Sequence, residues 1–268
     1  MEEVFRDGLL EGKHALITGG SSGINFGIAE RYAEMGANLT LIARTQEKLD
    51  EASEKLRDEH GVEALGLSSD VRDYDELEGV IEEGVEELGS IDILVCGAAG
   101  NFPAPAVGMS ANGFGAVVDI DLKGTFNACR AAFDHLTKPG ASVIAISAPQ
   151  SVDPMPMQSH VCAAKAGVDG LVKTLALEWG QAGVRVNAIQ PGPVEGTEGM
   201  KRLTPDEGSQ KRVAESLPVG RYAEKEEIAN LALYMALPIS EYMTGSIVAI
   251  DGGQLLVGSG AMMDALMG

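Results

Sequence analysis

Cysteine is scarce in this sequence, with only Cys96, Cys129 and Cys162 among 268 residues. Their number is odd and they lack the close spacing of metal ligands, so we predict neither a disulfide framework nor a metal site. This usage is typical of a reduced, intracellular protein, and we expect a cytoplasmic location.

Basic residues are also few, because 20 Lys and Arg stand against 40 Asp and Glu and leave a net charge of -20. Nucleic acid and anionic membrane surfaces are bound through a basic face, so both are disfavoured as partners. The acidic residues concentrate in helix-like segments such as 47–59 and 76–87. That distribution indicates a solvated surface rather than a binding site.

Long apolar runs are absent as well. No segment is long enough to span a bilayer, and the N-terminus lacks the charged-then-apolar pattern of a signal segment. The last residues, 264–268, do not match a peroxisomal address. The sequence therefore predicts no membrane association.

Apolar strand-like segments alternate with helix-like segments along the whole chain. The predicted strands are 14–17, 38–43, 63–68, 91–96, 142–147, 185–189 and 246–250, and the predicted helices include 45–60, 74–88, 114–136, 160–180 and 225–236. Such alternation predicts an α/β fold in which a doubly wound parallel sheet carries helices on both faces. No linker or repeat divides the chain, so we predict one domain over 1–268, with irregular segments at 103–109 and, on the substrate side, about 191–218.

A glycine-rich stretch, TGGSSGINFG, occupies 18–27 between the first predicted strand and a helical pattern. A strand, a glycine-rich turn and a helix in this order are typical of phosphate binding. Gly19 permits a tight turn, Gly23 permits close approach of a ligand, and the free N–H groups of the helix start favour an anion. We therefore place Ser21, Ser22 and Ile24 with these glycines in a cofactor site, although such a stretch can also be a turn and nothing more.

The end of the second strand predicts which cofactor is bound. An acidic residue there accepts hydrogen bonds from the ribose 2′-OH of NAD, but this chain has Arg44. A guanidinium can pair with the 2′-phosphate of NADP, so NADP is favoured. The alternative is that Arg44 is an ordinary exposed residue at a strand end.

Several motifs, in order, give the chain a resemblance to the short-chain dehydrogenase/reductase family. The glycine-rich turn matches TGxxxGxG, residues 96–100 match the family's NNAG stretch, and Lys165 matches the Lys of YxxxK. Three loops also match: Asp70-Val71 after the third strand, Pro191-Gly192-Pro193 after the sixth, and 251–253 after the last. The resemblance implies a Rossmann-type core, a nicotinamide cofactor and a homotetramer. It implies further cofactor contacts from Asp70, Val71, Ala98, Ala99, Gly100, Lys165, Pro191, Gly192, Val194 and Thr197.

The catalytic tetrad of that family, Asn, Ser, Tyr and Lys, is largely missing. Asp121 stands at the Asn position, Ala148 at the Ser position and Val161 at the Tyr position, so only Lys165 remains. Asn25 also replaces the last glycine of the turn.

The missing tyrosine has a chemical meaning. Reduction of a carbonyl leaves an alkoxide that needs an adjacent proton donor, which Val161 and Ala148 cannot provide. Conjugate reduction of an enoyl or dienoyl thioester delocalises the charge onto the thioester oxygen, and an ordered water can supply the proton. Asp121 and Lys165 could hold that water.

The same departures resemble the 2,4-dienoyl-CoA reductase branch of the family, especially its peroxisomal type. The matching segments are 98–102, 119–121, 124–127, 190–193 and 196–199, together with His160. The branch implies that Asp121 and Lys165 bind a catalytic water while NADPH supplies hydride. The expected partner is an acyl-CoA-type small molecule, with Lys201 and Arg202 as candidates for its phosphates.

Two alternatives to this reading stay open. One is a 3-oxoacyl thioester or other carbonyl reductase, or an alcohol dehydrogenase, with a substitute acid such as His160. The other is a non-catalytic NADP-binding subunit, suggested by the loss of three tetrad residues.

Overall fold

The computed structural model describes residues 5–204 and 206–267. In this part of the chain seven strands form one parallel sheet in the order β3-β2-β1-β4-β5-β6-β7. The strands are β1 His14–Thr18, β2 Asn38–Ala43, β3 Ala64–Ser68, β4 Ile93–Cys96, β5 Ser142–Ile146, β6 Arg185–Pro191 and β7 Ile247–Ile250. The predicted doubly wound α/β fold is confirmed.

Helices cover both faces of this sheet. They are α1 Gly23–Glu34, α2 Gln46–His60, α3 Tyr74–Leu88, α4 Ala111–Val118, α5 Gly124–Ala132, α6 Ser159–Trp179, α7 Glu198–Leu203, α8 Glu207–Ser216, α9 Lys225–Ala236 and α10 Gln254–Met267, which is kinked at Gly258. Successive residues of a buried strand serve opposite faces, as β1 illustrates. Ile17 packs in the apolar layer under α1, α2 and α9, whereas Leu16 packs in the layer under α3, α5 and α6.

The long helix predicted over 114–136 is divided in the structure. A π-helical turn at Asp119–Lys123 separates α4 from α5. A π turn inserts one extra residue per turn and is frequent at functional sites. This one rotates Asp121 inward, where the residue is buried.

The segment about 191–218, predicted to be irregular, contains α7 and α8. Both helices begin at a side-chain cap, since Thr197 accepts a hydrogen bond from Met200 N and Asp206 accepts one from Ser209 N. Such caps satisfy N–H groups that a helix start leaves free and stabilise short helices that propensity alone does not.

The start of α9 carries a testable ion pair. Arg221 donates to Glu227 at 2.7 and 2.9 Å, and Glu227 Oε2 accepts from Glu224 N at 2.9 Å. The Arg221 guanidinium lowers the pKa of Glu227 to about 2. Because the folded pKa lies below the unfolded value of about 4.3, the pair stabilises the fold above that pH and its contribution is lost as the pH falls toward 2.

Glu227→Gln is therefore expected to lower Tm at pH 7 by at most roughly 2–4 °C, because the amide oxygen can still accept from Glu224 N and only the partly exposed ion pair with Arg221, at most about 1 kcal/mol, is lost. The difference from wild type should shrink as the pH falls from 5 to 2. Glu226→Gln, which removes the same charge from an exposed neighbour, is the control. Equal effects of the two substitutions on thermal melting curves would contradict this account.

Candidate active site

The glycine-rich turn joins β1 to α1 at the carboxyl edge of the sheet. Gly19 and Gly23 have φ angles of +72° and +63°, which side chains other than glycine adopt only with strain. A Cβ on Gly19 would also lie 3.0 Å from the backbone of Ala98. The N–H groups at the start of α1, a helix of 12 residues, lie at this turn, and the start of a helix favours an anion.

A cleft extends from this turn across the carboxyl ends of the strands. Its first cavity, about 430 Å³, is lined by predicted cofactor residues Gly19, Ser21, Ser22, Gly23, Ile24, Arg44, Asp70, Val71, Ala98, Ala99 and Thr197. A second cavity, about 210 Å³, is lined by Asp121 and by the remaining predicted residues Gly100, Lys165, Pro191, Gly192 and Val194. Ile24, Ala99 and Thr197 line both cavities, so the two form one cleft.

A larger cavity of about 610 Å³ lies at the opposite edge, where the strands begin. Its charged lining includes Lys13 and Asp92, which pair with each other at 3.0 Å. None of the predicted site residues lines it. In parallel α/β sheets ligands bind outside the carboxyl ends of the strands, so the cleft and not this cavity is the candidate active site.

Asp121 and Lys165 meet at the floor of the second cavity. Lys165 Nζ lies 3.2 Å from Asp121 Oδ2 and donates to Ile146 O at 2.8 Å. Asp121 Oδ1 accepts from Gly100 N at 2.7 Å. The Asp121 side chain is 1% exposed and the Lys165 side chain is 7% exposed, so the two form a buried ion pair. Oδ2 lacks a hydrogen bond of good geometry among the described residues, which leaves it as an acceptor facing Lys165.

The positions that lost their hydroxyls face the same cavity. Ala148 and Val161 are among its lining residues, and in the part of the chain the structure describes no tyrosine lines it. Ser147 also lines the cavity, but its hydroxyl donates to Asp169 Oδ1 at 2.5 Å and is turned into the protein. Asp169 Oδ2 in turn accepts from Gln190 Nε2 at 3.1 Å. The cavity therefore offers Asp121 and Lys165, and no phenol, for proton transfer.

The outer end of the first cavity collects positive charge. Arg44 and Lys48 both line it, the second from the first turn of α2. Sequence reasoning missed Lys48, because its entry into the cleft depends on where α2 begins relative to β2 and no local pattern reports this. Asp70 is engaged by Arg72, which donates to its carboxylate at 2.5–3.1 Å, and the Arg72 guanidinium lowers the pKa of Asp70.

Three further candidate residues, His160, Lys201 and Arg202, lie outside the two cavities of the cleft. His160 is buried, accepts a hydrogen bond from Val161 N at 2.9 Å, and packs edge-on against Phe102 with ring centroids 4.5 Å apart. It is not among the residues that line either cavity of the cleft. Arg202 donates to Asn101 O at 3.0 Å and so joins α7 to the loop after β4, while Lys201 is exposed.

Comparison with known proteins identifies the family. A family model described as "Enoyl-(Acyl carrier protein) reductase" matches residues 19–254. A short-chain dehydrogenase structure from Bacillus anthracis superimposes with a TM-score of 0.81 at 39% identity, covering 91% of this chain and 97% of that chain. The chain belongs to the short-chain dehydrogenase/reductase family. It is therefore an oxidoreductase with a nicotinamide cofactor.

Curated relatives within this family include proteins named dienoyl-CoA reductases. A "Peroxisomal 2,4-dienoyl-CoA reductase [(3E)-enoyl-CoA-producing]" from Arabidopsis thaliana is 41% identical over 263 residues, 94% of this chain and 88% of the relative. A "Probable 2,4-dienoyl-CoA reductase [(2E)-enoyl-CoA-producing]" from Bacillus subtilis is 38% identical and covers 92% of this chain and 98% of its own.

Within residues 5–204 and 206–267, no helix is both long and apolar enough to cross a membrane. No cluster of three or more His, Cys, Asp or Glu side chains in the same residues could hold a metal ion.

Proposed function

We propose that the protein is an NADPH-dependent reductase of unsaturated acyl-CoA thioesters, similar to the 2,4-dienoyl-CoA reductases among its relatives. The observation that carries this proposal is the buried Asp121–Lys165 pair, 3.2 Å apart, in a cavity where the hydroxyl-bearing tetrad residues are replaced by Ala148 and Val161. This arrangement suits a reaction whose proton comes from water.

The cleft fits a nicotinamide dinucleotide. The glycine cradle at Gly19 leaves no room for a Cβ, the start of α1 presents N–H groups, and Arg44 and Lys48 line the end of the cleft where we expect the adenosine 2′-phosphate. When bound, the cofactor supplies hydride to the distal carbon of the conjugated system. We expect Lys165 to bond the ribose hydroxyls and to hold positive potential near the reacting centre.

The chain's own part in the chemistry is to hold a proton donor. Hydride addition at C5 of a 2,4-dienoyl thioester moves electron density onto the thioester oxygen and leaves a dienolate. The Asp121 carboxylate and the Lys165 ammonium hold a water that protonates C2 or C4, and the hydroxide left behind takes up a proton from bulk solvent. Asp121 stays anchored during the step because Gly100 N donates to its Oδ1 at 2.7 Å.

The two alternatives are less well supported. A carbonyl reductase needs a donor beside the alkoxide, but His160 packs against Phe102 and does not line the cleft. A non-catalytic subunit is not favoured, because burying a charged pair costs desolvation free energy and such pairs in clefts are typical of active sites.

Isotopic labelling tests the proposed reaction. Turnover of a 2,4-dienoyl-CoA with C4-deuterated NADPH in H₂O is expected to place deuterium at C5 of the product. Turnover with unlabelled NADPH in D₂O should place it at C2, giving a 3-enoyl product, or at C4, giving a 2-enoyl product. Reduction of the thioester carbonyl instead of the diene would reject the proposal.

The cofactor preference rests on Arg44 and Lys48. Replacing both by alanine is expected to raise KM for NADPH roughly 10–100-fold and to change KM for NADH little, because a charge-assisted hydrogen bond contributes about 1.5–3 kcal/mol. Steady-state kinetics with the two cofactors measures this. Lys173→Ala, an exposed lysine on α6, is the control, and an unchanged preference in the double variant would contradict the NADP assignment.

We also propose a cytoplasmic homo-oligomer, a tetramer, acting in fatty-acid metabolism. Exposed apolar side chains support association, among them Leu177, 83% exposed, and Leu256, 88% exposed. The low cysteine content of the sequence supports a reducing compartment. Light scattering after gel filtration tests the tetramer.

A further inference from the structure

Asn25 stands where the family's glycine-rich turn ends in glycine, and its side chain bridges two segments of the cofactor cleft. Its Nδ2 donates to Gly97 O at 2.8 Å and to Gly19 O at 3.3 Å. Gly19 belongs to the turn after β1, and Gly97 begins the loop after β4. The third glycine of such a turn ordinarily allows close packing of helix and strand, whereas here a carboxamide fills that space.

Gly97 leaves the space that the Asn25 side chain occupies. A Cβ built on Gly97 would overlap the carboxamide of Asn25. The φ angle of Gly97 does not lie in the left-handed region, so its backbone alone does not require glycine. The residue is buried, and what excludes a side chain there is Asn25.

The peptide groups around Gly97 are fixed from two sides. Gly97 N donates to Thr18 Oγ1 at 3.1 Å, and Gly97 O accepts from Asn25. Three residues further along, Gly100 N holds the carboxylate of Asp121. The Asn25 bridge therefore sets the position of the phosphate-binding turn relative to the loop that carries the Asp121 contact.

We propose that Asn25 is a positioning residue for the nicotinamide dinucleotide and that Asn25 and Gly97 form one reciprocal unit. The carboxamide fixes the width of the cleft between turn and loop, and a side chain is permitted at 97 only when residue 25 has none. The positioning role proposed for Asn25 depends on the nicotinamide cofactor of the family and does not depend on the identity of the acyl substrate.

A four-protein cycle tests the reciprocity without cofactor. Gly97→Ala is expected to lower Tm of the unliganded protein by roughly 2–10 °C, because overpacking a buried site is destabilising. Adding Asn25→Gly should recover most of that loss. Gly115→Ala is the control, since a Cβ on Gly115 meets nothing within 4 Å. A wild-type Tm for Gly97→Ala, or a double variant no more stable than Gly97→Ala, would overturn the reciprocity.

NADPH fluorescence titration tests the positioning role. Asn25→Gly and the similar-sized Asn25→Leu are both expected to raise Kd and KM for NADPH about tenfold, and by a larger factor than they lower kcat, because both remove the bridge that holds the turn at its distance from the loop. Wild-type affinity in Asn25→Leu would reduce the residue to a space filler and overturn the positioning role.

These two single variants keep the inference testable if Gly97→Ala fails to fold. Absence of NADPH binding by the wild-type protein would reject the cofactor assignment, and the melting cycle would still decide the Asn25–Gly97 relation.

Discussion

Asp121→Asn is expected to lower kcat for a 2,4-dienoyl-CoA by about 10²–10⁴-fold, the range for loss of a positioned proton-transfer group. Asparagine keeps the shape of aspartate, so its Oδ1 can still accept from Gly100 N, which Asp121 engages at 2.7 Å. The substitution removes the negative charge opposite Lys165. It also removes the ability of the carboxylate to orient a water by accepting a hydrogen bond from that water.

Binding of the cofactor should survive this substitution. Asp121 lines the second cavity but not the first, where the adenosine and phosphate contacts are expected. KM and Kd for NADPH are therefore expected to stay near wild type, a pattern that assigns the loss to the transition state. Stopped-flow single-turnover measurements separate the chemical step from product release.

Asp119→Asn is the matched control for this experiment. Asp119 lies on the same π-helical turn, is exposed, and carries the same charge. Near-normal turnover in Asp119→Asn beside a large loss in Asp121→Asn isolates the role of the buried carboxylate. Full activity in Asp121→Asn would remove the water-holding role from this residue.

Lys165→Met is expected to affect both stability and catalysis. The lysine side chain is 7% exposed, and its removal leaves the buried carboxylate of Asp121 without a cation. Breaking a buried ion pair from one side costs about 3–5 kcal/mol, so Tm should fall by roughly 6–20 °C. Turnover should be abolished, because the residue is expected to hold both the water and the cofactor ribose.

A double variant separates these two effects. Combining Lys165→Met with Asp121→Asn removes both charges, so its loss of stability should be smaller than the sum of the single losses, while turnover stays abolished. Denaturant unfolding and NADPH oxidation measure the two quantities. Additive stability losses would mean that the 3.2 Å pair does not couple the residues.

Much of the fold and part of the site could be predicted from the sequence because both depend on local patterns. Apolar strands followed by helices led to the parallel sheet, and the glycines of 18–27 lie at the predicted turn. Lys165 and Asp121 were selected by the resemblance of the surrounding motifs to those of a family. The structure brings them to one cavity.

The remaining features depend on contacts between distant segments. The π turn that directs Asp121 inward adds one residue to a pattern that otherwise reads as a single helix. Lys48 lines the cleft because of where α2 starts. Asn25 and Gly97, which are in contact, lie more than 70 residues apart in the sequence. No local periodicity reports such contacts.

The most direct test of the proposed function is NADPH oxidation, followed by absorbance, with a 2,4-dienoyl-CoA and a 3-oxoacyl-CoA in parallel. Consumption of NADPH with the dienoyl ester alone is the predicted result, because Ala148 and Val161 leave no donor for an alkoxide. Consumption with the oxoacyl ester alone would contradict the account, since it would require a proton donor other than the water held by Asp121 and Lys165.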